Sequence, residues 1–253
     1  MPDYPESNKN WADYPHVFVL IDESGSMSGS RHTVVSSINE YLTNLKNTLP
    51  GTAKVTVRKF DSDGFLFSGA NMLNGKNPLP GAMVRIRDIF KQISLKDVRE
   101  LTLDDYVPQG GTPLYDAIGS SIEILDRAVK EIEAPVFFAI MSDGHENSSS
   151  KYNSSRIKAA LEKRQAQGWT VAFMGVEIDA YAAGSSIGLG ADSVVQVMRS
   201  NVGAAYSTMS DMAARKMRAA QDLNKSGATF AAYSTWNSTD VTFTEEEKKK
   251  AEE

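Results

Sequence analysis

The sequence predicts an α/β fold: a mostly parallel central sheet with helices on both faces. Three observations predict it. His16-Val-Phe-Val-Leu-Ile-Asp22 and Val136-Phe-Phe-Ala-Ile-Met141 are continuous apolar runs, the pattern of strands buried on both faces in parallel sheets. Amphipathic helical stretches follow these runs, so strand and helix alternate along the chain. The chain has 253 residues, 41% of them apolar and 23% charged. That is ordinary for a globular protein, and long enough to bury roughly three quarters of its unfolded surface without staples.

The elements follow in order. Asp22 ends the first strand, and glycine and serine come at once after it. A helix is predicted over Thr33–Leu49, because Val34, Ile38, Leu42, Leu45 and Leu49 form one stripe that can face a sheet. Pro50-Gly51 ends it. Ala53–Phe60 reads as a second strand, with Val55 and Val57 alternating against Thr56 and Arg58. Asn74–Gly81 is a loop. Val84–Arg87 reads as a strand, although Ile86, Ile89, Phe90 and Ile93 also have helical spacing.

Pro113 suits the first position of a helix, whose buried face is Leu114, Ala117, Ile118, Ser121, Ile122 and Leu125. After the strand Val136–Met141 come a helix over about 154–167 closed by Gly168, the strand Thr170–Val176 and a short helix near 180–187. The strand Ser193–Val197 and a long helix over about 203–224 follow. The end, Thr242–Glu253, is densely charged and has no apolar stripe, so it reads as a frayed, disordered tail or a solvated helical turn.

Composition excludes several classes of function. There is no cysteine, which removes disulfides, thiolate metal sites and cysteine nucleophiles. A net charge of −5 provides no field that attracts phosphates over the whole molecule, so neither nucleic acid nor an anionic membrane is expected as a partner. No stretch approaches the ~18 apolar residues of a membrane span. The opening MPDYPESNKNWADYP has no basic start and no apolar run, unlike a signal peptide. The expected address is the cytoplasm.

In open α/β sheets, ligands collect at the carboxyl ends of the strands. Two predicted strands finish there in polar residues, Asp22-Glu23-Ser24-Gly25-Ser26 and Ser142-Asp143-Gly144. Gln109-Gly110-Gly111-Thr112-Pro113, a glycine loop opening a helix, lies between them in sequence. Asp22, Ser24, Ser26, Thr112 and Asp143 are all oxygen donors, suited to a hard cation such as Mg²⁺, which takes about six oxygens and keeps several waters. Alternate spacing lets Asp22, Ser24 and Ser26 converge as the chain leaves the strand, and Gly25 permits the tight turn. Two carboxylates neutralise a divalent ion without saturating it, leaving an open position for an acidic ligand.

With these residues the chain resembles the von Willebrand factor type A (VWA) domain, over about residues 14–200. Asp22-x-Ser24-x-Ser26, with Thr112 and Asp143, is similar to that family's metal-ion-dependent adhesion site (MIDAS). Tyr106–Asp116, Ser142–Asn147, Phe173-Met-Gly175 and Gly227–Tyr233 resemble compact VWA proteins of bacteria and tailed phages. The resemblance implies a Rossmann-like sheet with one short antiparallel edge strand. It implies Mg²⁺, with Mn²⁺ or Ca²⁺ as alternatives, held by Asp22, Ser24, Ser26 and Thr112, with Asp143 bound directly or through water. It also implies that an acidic side chain of a partner protein completes the coordination. The organisation expected is an N-terminal extension (1–13), the VWA domain (14–200), a helix and segment packed on it (201–241) and the charged tail (242–253). Glu23 directly after Asp22, and a long irregular stretch over 69–100, depart from the family pattern.

Other chemistries fit less well. A haloacid-dehalogenase phosphatase needs a second acid where Ser24 stands. A serine hydrolase needs serine at the centre of Gly-x-Ser-x-Gly, but Met27 lies between Gly25 and Gly29. Gly188-Leu-Gly190 lacks the third glycine of a dinucleotide fingerprint and precedes a strand. His16 is expected to be structural, His32 to start an exposed helix and His145 to lie in a surface loop. Met209, Met212 and Met217 are expected in the core, and Arg215, Lys216 and Arg218 on a solvated face, not an RNA-binding one. The expectation is a non-enzymatic, metal-dependent protein-binding module. The alternatives are a Mg²⁺-dependent enzyme acting on nucleotides or phosphoesters, and an adaptor for a AAA+ ATPase.

Overall fold

The computed structural model describes residues 11–63, 83–129, 133–240 and 242–252. The predicted Asn74–Gly81 loop lies outside them. Six strands form one sheet: β1 (His16–Asp22), β2 (Lys54–Ser62), β3 (Val84–Ser94), β4 (Val136–Ser142), β5 (Trp169–Val176) and β6 (Val194–Val197). Their order is β3-β2-β1-β4-β5-β6. All neighbours pair in parallel except β2 and β3. The helices are α1 (Arg31–Thr48), α2 (Leu114–Val129), α3 (Ser154–Gln165), α4 (Ala180–Ser186), α5 (Val202–Lys225), α6 (Phe230–Asp240) and α7 (Glu245–Glu252). None of the described helices is long and apolar enough to cross a membrane.

Strand periodicity divides the core into two layers. Val17, Val19 and Ile21 of β1 face one, with Ile38 and Leu45 of α1 and Met209 and Met212 of α5. Phe18 and Leu20 face the other, with Ile118 and Ile122 of α2 and Ile157 of α3. Every residue of β1 and β4 is buried, as the continuous apolar runs require. Each such large side chain contributes about 1.5–3 kcal/mol on burial. The two central strands therefore make a rigid base for whatever their carboxyl ends carry.

Three differences from the sequence reading have physical causes. The antiparallel edge strand is not short: β3 runs for 11 residues. Its helical spacing arises from register shifts opposite Val55–Arg58, which break the two-residue period. Ile86 packs into one layer and Ile89, Phe90 and Ile93 into the other.

The charged end is a helix, the second of its two readings, and it is packed on the domain at one side instead of frayed. Thr244 and Glu247 cap it reciprocally: the Glu247 N–H donates to Thr244 Oγ1, and the Thr244 N–H to Glu247 Oε2 at 2.8 Å. Glu247 also pairs with Arg215 of α5, and Ala251 and Phe243 are buried in the α1/α5 layer.

Lys216 lies on no solvated face; it is fully buried. Its ammonium sits 5.2 Å from the ring centroid of Tyr233 in α6 and has no hydrogen-bond partner among the described residues. Burial pushes its pKa down to about 6. The sequence reading gives a packed segment, not a helix, between α5 and the charged end, and α6 is what covers this lysine.

Candidate metal centre

Asp22 is the last residue of β1, and Ser142 the last of the adjacent β4. Parallel pairing brings both strand ends to the same edge. The Ser142 hydroxyl donates to Asp22 Oδ2, and the Ser24 N–H donates to Asp22 Oδ1 at 2.8 Å. Tyr106 donates its hydroxyl to the Asp22 carbonyl at 2.6 Å. Burial pushes the Asp22 carboxyl up to about 7, against the hydrogen bonds from Ser142 and Ser24, and the nearby Asp143 charge adds to the rise.

The remaining oxygens gather around this carboxylate. Ser24 and Ser26 share a hydroxyl–hydroxyl hydrogen bond of 3.0 Å, and the Ser26 hydroxyl donates to Asp143 Oδ1 at 2.6 Å. Asp22, Ser24, Ser26 and Asp143 are thus joined in one chain of contacts. Thr112 comes to the same place from the third loop. A Cβ on Gly144 would stand 2.7 Å from Thr112 Oγ1, so that glycine leaves room for the hydroxyl beside Asp143. Four of the five sequence-predicted residues are thus joined by contacts, and Thr112 stands beside Gly144, the residue after Asp143.

Backbone contacts lock the loops together. The Gly25 N–H donates to the Gly110 carbonyl at 3.0 Å, the Gln109 N–H to the Glu23 carbonyl at 2.8 Å, and the Asn147 N–H to the Thr112 carbonyl at 3.1 Å. The Thr112 N–H in turn donates to Asn147 Oδ1 at 2.9 Å.

The cluster differs from a carboxylate cage. Among the described residues no group of three His, Cys, Asp or Glu side chains is arranged to hold a metal. Two carboxylates and three hydroxyls make a low-charge, all-oxygen set, which fits a hard divalent cation that keeps water or takes an outside ligand.

Glu23, the departure from the family pattern, is buried away from this set. It accepts from Lys59 at 2.8 Å and Arg87 at 2.6 Å, and from the Val107 N–H. Arg85 and Arg87 both also pair with buried Asp61. This charged block ties β1, β2, β3 and the 107 segment together beside the site. Its signal was readable as charged residues alternating with apolar ones along two strands: Lys59-Phe60-Asp61 on β2 and Arg85-Ile86-Arg87 on β3.

The sequence reading missed three supports. Asp116 accepts the backbone N–H groups of Ser150, Lys151 and Tyr152 at 2.7–2.9 Å. Glu146 accepts those of Tyr115, Ser148 and Ser149 at 2.7–2.9 Å. Arg199 reaches Asp143 from the turn after β6, and no local pattern marks it. His16 is buried, as expected, and burial and Lys54 hold its pKa down at about 4. His145 is exposed in the loop after Asp143.

No protein-family model and no curated protein matches the chain. Solved structures do match its fold. Proximal thread matrix protein 1 from the mussel byssus, with a zinc-occupied MIDAS motif, superposes with a TM-score of 0.56 at 15% identity, over 79% of this chain and 48% of that one. The pilus adhesin SpaC from Lactobacillus rhamnosus GG gives 0.57 at 14% identity, over 81% and 31%. The vWF domain of the pili tip protein Mfa5 from Porphyromonas gingivalis gives 0.52 at 10% identity, over 80% and 96%. The chain spans half or less of the mussel and SpaC proteins but nearly all of the Mfa5 domain. Its architecture is the VWA-like α/β fold: a mostly parallel six-stranded sheet with one antiparallel edge pair.

Proposed function

We propose that this chain is a non-enzymatic protein-binding module whose partner recognition depends on a divalent cation. The observation that carries the reading is the joining of Asp22 and Asp143 through Ser26 and Ser24 at the carboxyl ends of the two central strands. Asp22, Ser24, Ser26, Thr112 and Asp143 would hold the ion, Mg²⁺ by preference, with Mn²⁺ or Ca²⁺ as alternatives. Bound there, the ion supplies an open coordination position for a carboxylate of a partner protein. The chain's own residues do the rest. Ser142 and the Ser24 N–H orient the Asp22 oxygens, Ser26 orients Asp143, and Gly144 keeps space for the Thr112 hydroxyl. Support also comes from the fold shared with a pilus adhesin and with a protein whose MIDAS motif holds zinc.

Isothermal titration of the wild type with Mg²⁺ and Mn²⁺ tests the reading. Saturable binding that Asp22→Ala removes, while the variant keeps a wild-type circular dichroism spectrum, is the expected result. No binding of either ion by the wild type, or equal binding by the variant, overturns it. Turnover of nucleotides or phosphoesters by the wild type, stopped by Asp22→Ala, would replace the binding module with an enzyme.

A further inference from the structure

Arg199 stands in the short turn between β6 and α5 and reaches back to the carboxylate pair. Its Nε donates to Glu177 Oε2 at 2.9 Å. Its Nη1 donates to Ser30 Oγ at 2.7 Å and, at 3.4 Å, to the Ser26 carbonyl. Its Nη2 donates to Asp143 Oδ2 at 3.3 Å. The Asp143 side chain is fully covered, whereas that of Arg199 is 32% exposed.

We infer that Arg199 is a tethered internal counter-cation of the site: it neutralises Asp143 when no ion is bound, and so sets the threshold of cation affinity. The inference rests on reading the Asp22–Asp143 pair as a metal site and adds a regulation of that site. A covered carboxylate without a cation is costly, and an arginine supplies the missing charge. Asp143 has both oxygens engaged, Oδ1 by Ser26 and Oδ2 by Arg199. An arriving divalent ion must therefore either displace the guanidinium from Asp143 or share the carboxylate with it.

Glu177 and Ser30 hold the guanidinium from two other sides, so displacing it does not remove its charge from the neighbourhood. The positive charge stays within a few ångströms and opposes binding. At an effective dielectric near 20, a bare unit charge at about 4 Å would weaken affinity by roughly a thousandfold or more. Pairing with Glu177 offsets part of this, so about tenfold is the smallest effect expected. The site would then fill only where the free divalent cation is abundant.

A purely structural salt bridge makes a different prediction, which gives the test its power. Mg²⁺ and Mn²⁺ affinities are measured by isothermal titration, and melting temperatures in EDTA and in excess Mg²⁺, for wild type, Arg199→Gln and Arg199→Lys. Arg199→Gln is expected to bind both ions about tenfold or more tightly. It should also melt lower in EDTA and gain more from Mg²⁺ than the wild type. Arg199→Lys, which keeps the charge, should stay near wild-type affinity.

Affinity unchanged or weakened in Arg199→Gln overturns the inference while leaving the metal site standing. Absence of binding by the wild type overturns both. Glu177→Gln is the second variant, informative even if Arg199→Gln does not fold. It removes the anion that shares the guanidinium and leaves Asp143 as its only carboxylate among the contacts described. Weaker cation binding is expected, and unchanged or tighter binding overturns the inference.

Discussion

Glu146 and Tyr115 are joined across two loops: Glu146 Oε2 accepts the Tyr115 backbone N–H at 2.9 Å. Tyr115 lies in the first turn of α2, where the N–H groups have no partner within the helix. A carboxylate there satisfies one of them and complements the positive end of the helix dipole. The same carboxylate takes the N–H groups of Ser148 and Ser149, so it fastens the loop after Asp143 to the helix that follows Thr112.

Glu146→Ala should therefore lower stability by about 1–3 kcal/mol, the usual cost of leaving part-buried donors unsatisfied. It should also weaken cation binding, because Thr112 and Asp143 lose their common fixture. Urea denaturation and Mg²⁺ titration of the one variant check both effects. A variant with wild-type midpoint and affinity would show that the loop needs no such clamp.

Cation binding should respond to pH through Asp22. Burial raises its folded-state carboxyl from 3.8 to about 7. Below that value the folded, metal-free protein holds a proton that a cation must expel. Affinity for Mg²⁺ is thus expected to rise between about pH 6 and about pH 8 and then to level, with proton release on binding at the lower pH. The sign for folding is the reverse. In the absence of metal the folded state binds the extra proton, so this group's contribution to stability falls as pH rises from 3.8 towards 7. Titrations in buffers of different ionisation enthalpy read the proton count directly.

Lys216, which is not part of the oxygen cluster, makes an independent prediction. Its folded-state pKa is pushed from 10.5 down to about 6 by burial. Between those values the unfolded chain binds the proton and the folded chain does not. Stability should therefore rise with pH across that window, by up to about 1.4 kcal/mol per pH unit from this group. Lys216→Met, similar in length and apolar, should raise the urea midpoint at neutral pH and flatten its dependence between about pH 7 and about pH 9. A lower midpoint at neutral pH would mean that the ammonium over Tyr233 stabilises the fold more than burial penalises it.

Metal should stabilise the folded chain by mass action, by about 2.7 kcal/mol at a hundredfold excess over the dissociation constant. Millimolar Mg²⁺ should raise the melting temperature and EDTA reverse it. Thr112→Ala should reduce that gain while leaving the melting temperature in EDTA little changed, since Pro113 already sets the backbone at the helix start. A full Mg²⁺ gain in Thr112→Ala would remove its hydroxyl from the donor set.

Much of this molecule was legible in its residues, for identifiable reasons. β1 and β4 declared themselves because both their faces are buried, so no polar residue interrupts the run. The cluster of oxygen-bearing side chains declared itself because strand ends and a glycine loop carry its members at short spacings. β3 was half legible, because its register irregularity scrambled the two-residue period. Lys216 misled, because charge implies solvent unless a later helix, here α6, covers it. The final helix carried a readable Thr244-x-x-Glu247 cap, hidden among like charges. Arg199 was unreadable, since its partners Asp143 and Ser30 are brought to it by the sheet and not by the chain.

The site described here has an immobile half and a yielding half. Asp22 closes β1 and Asp143 directly follows β4, the strands paired on both sides and buried throughout, the kind of segment that opens last in native-state fluctuations. Ser24, Ser26 and Thr112 stand on loops outside the strand ladder, tied to one another and to the end of β2 by a few backbone contacts. Accommodation of a ligand must then come from the hydroxyl side. The carboxylates act as a datum against which the loops adjust, and the fidelity of the site is inherited from the most persistent part of the sheet.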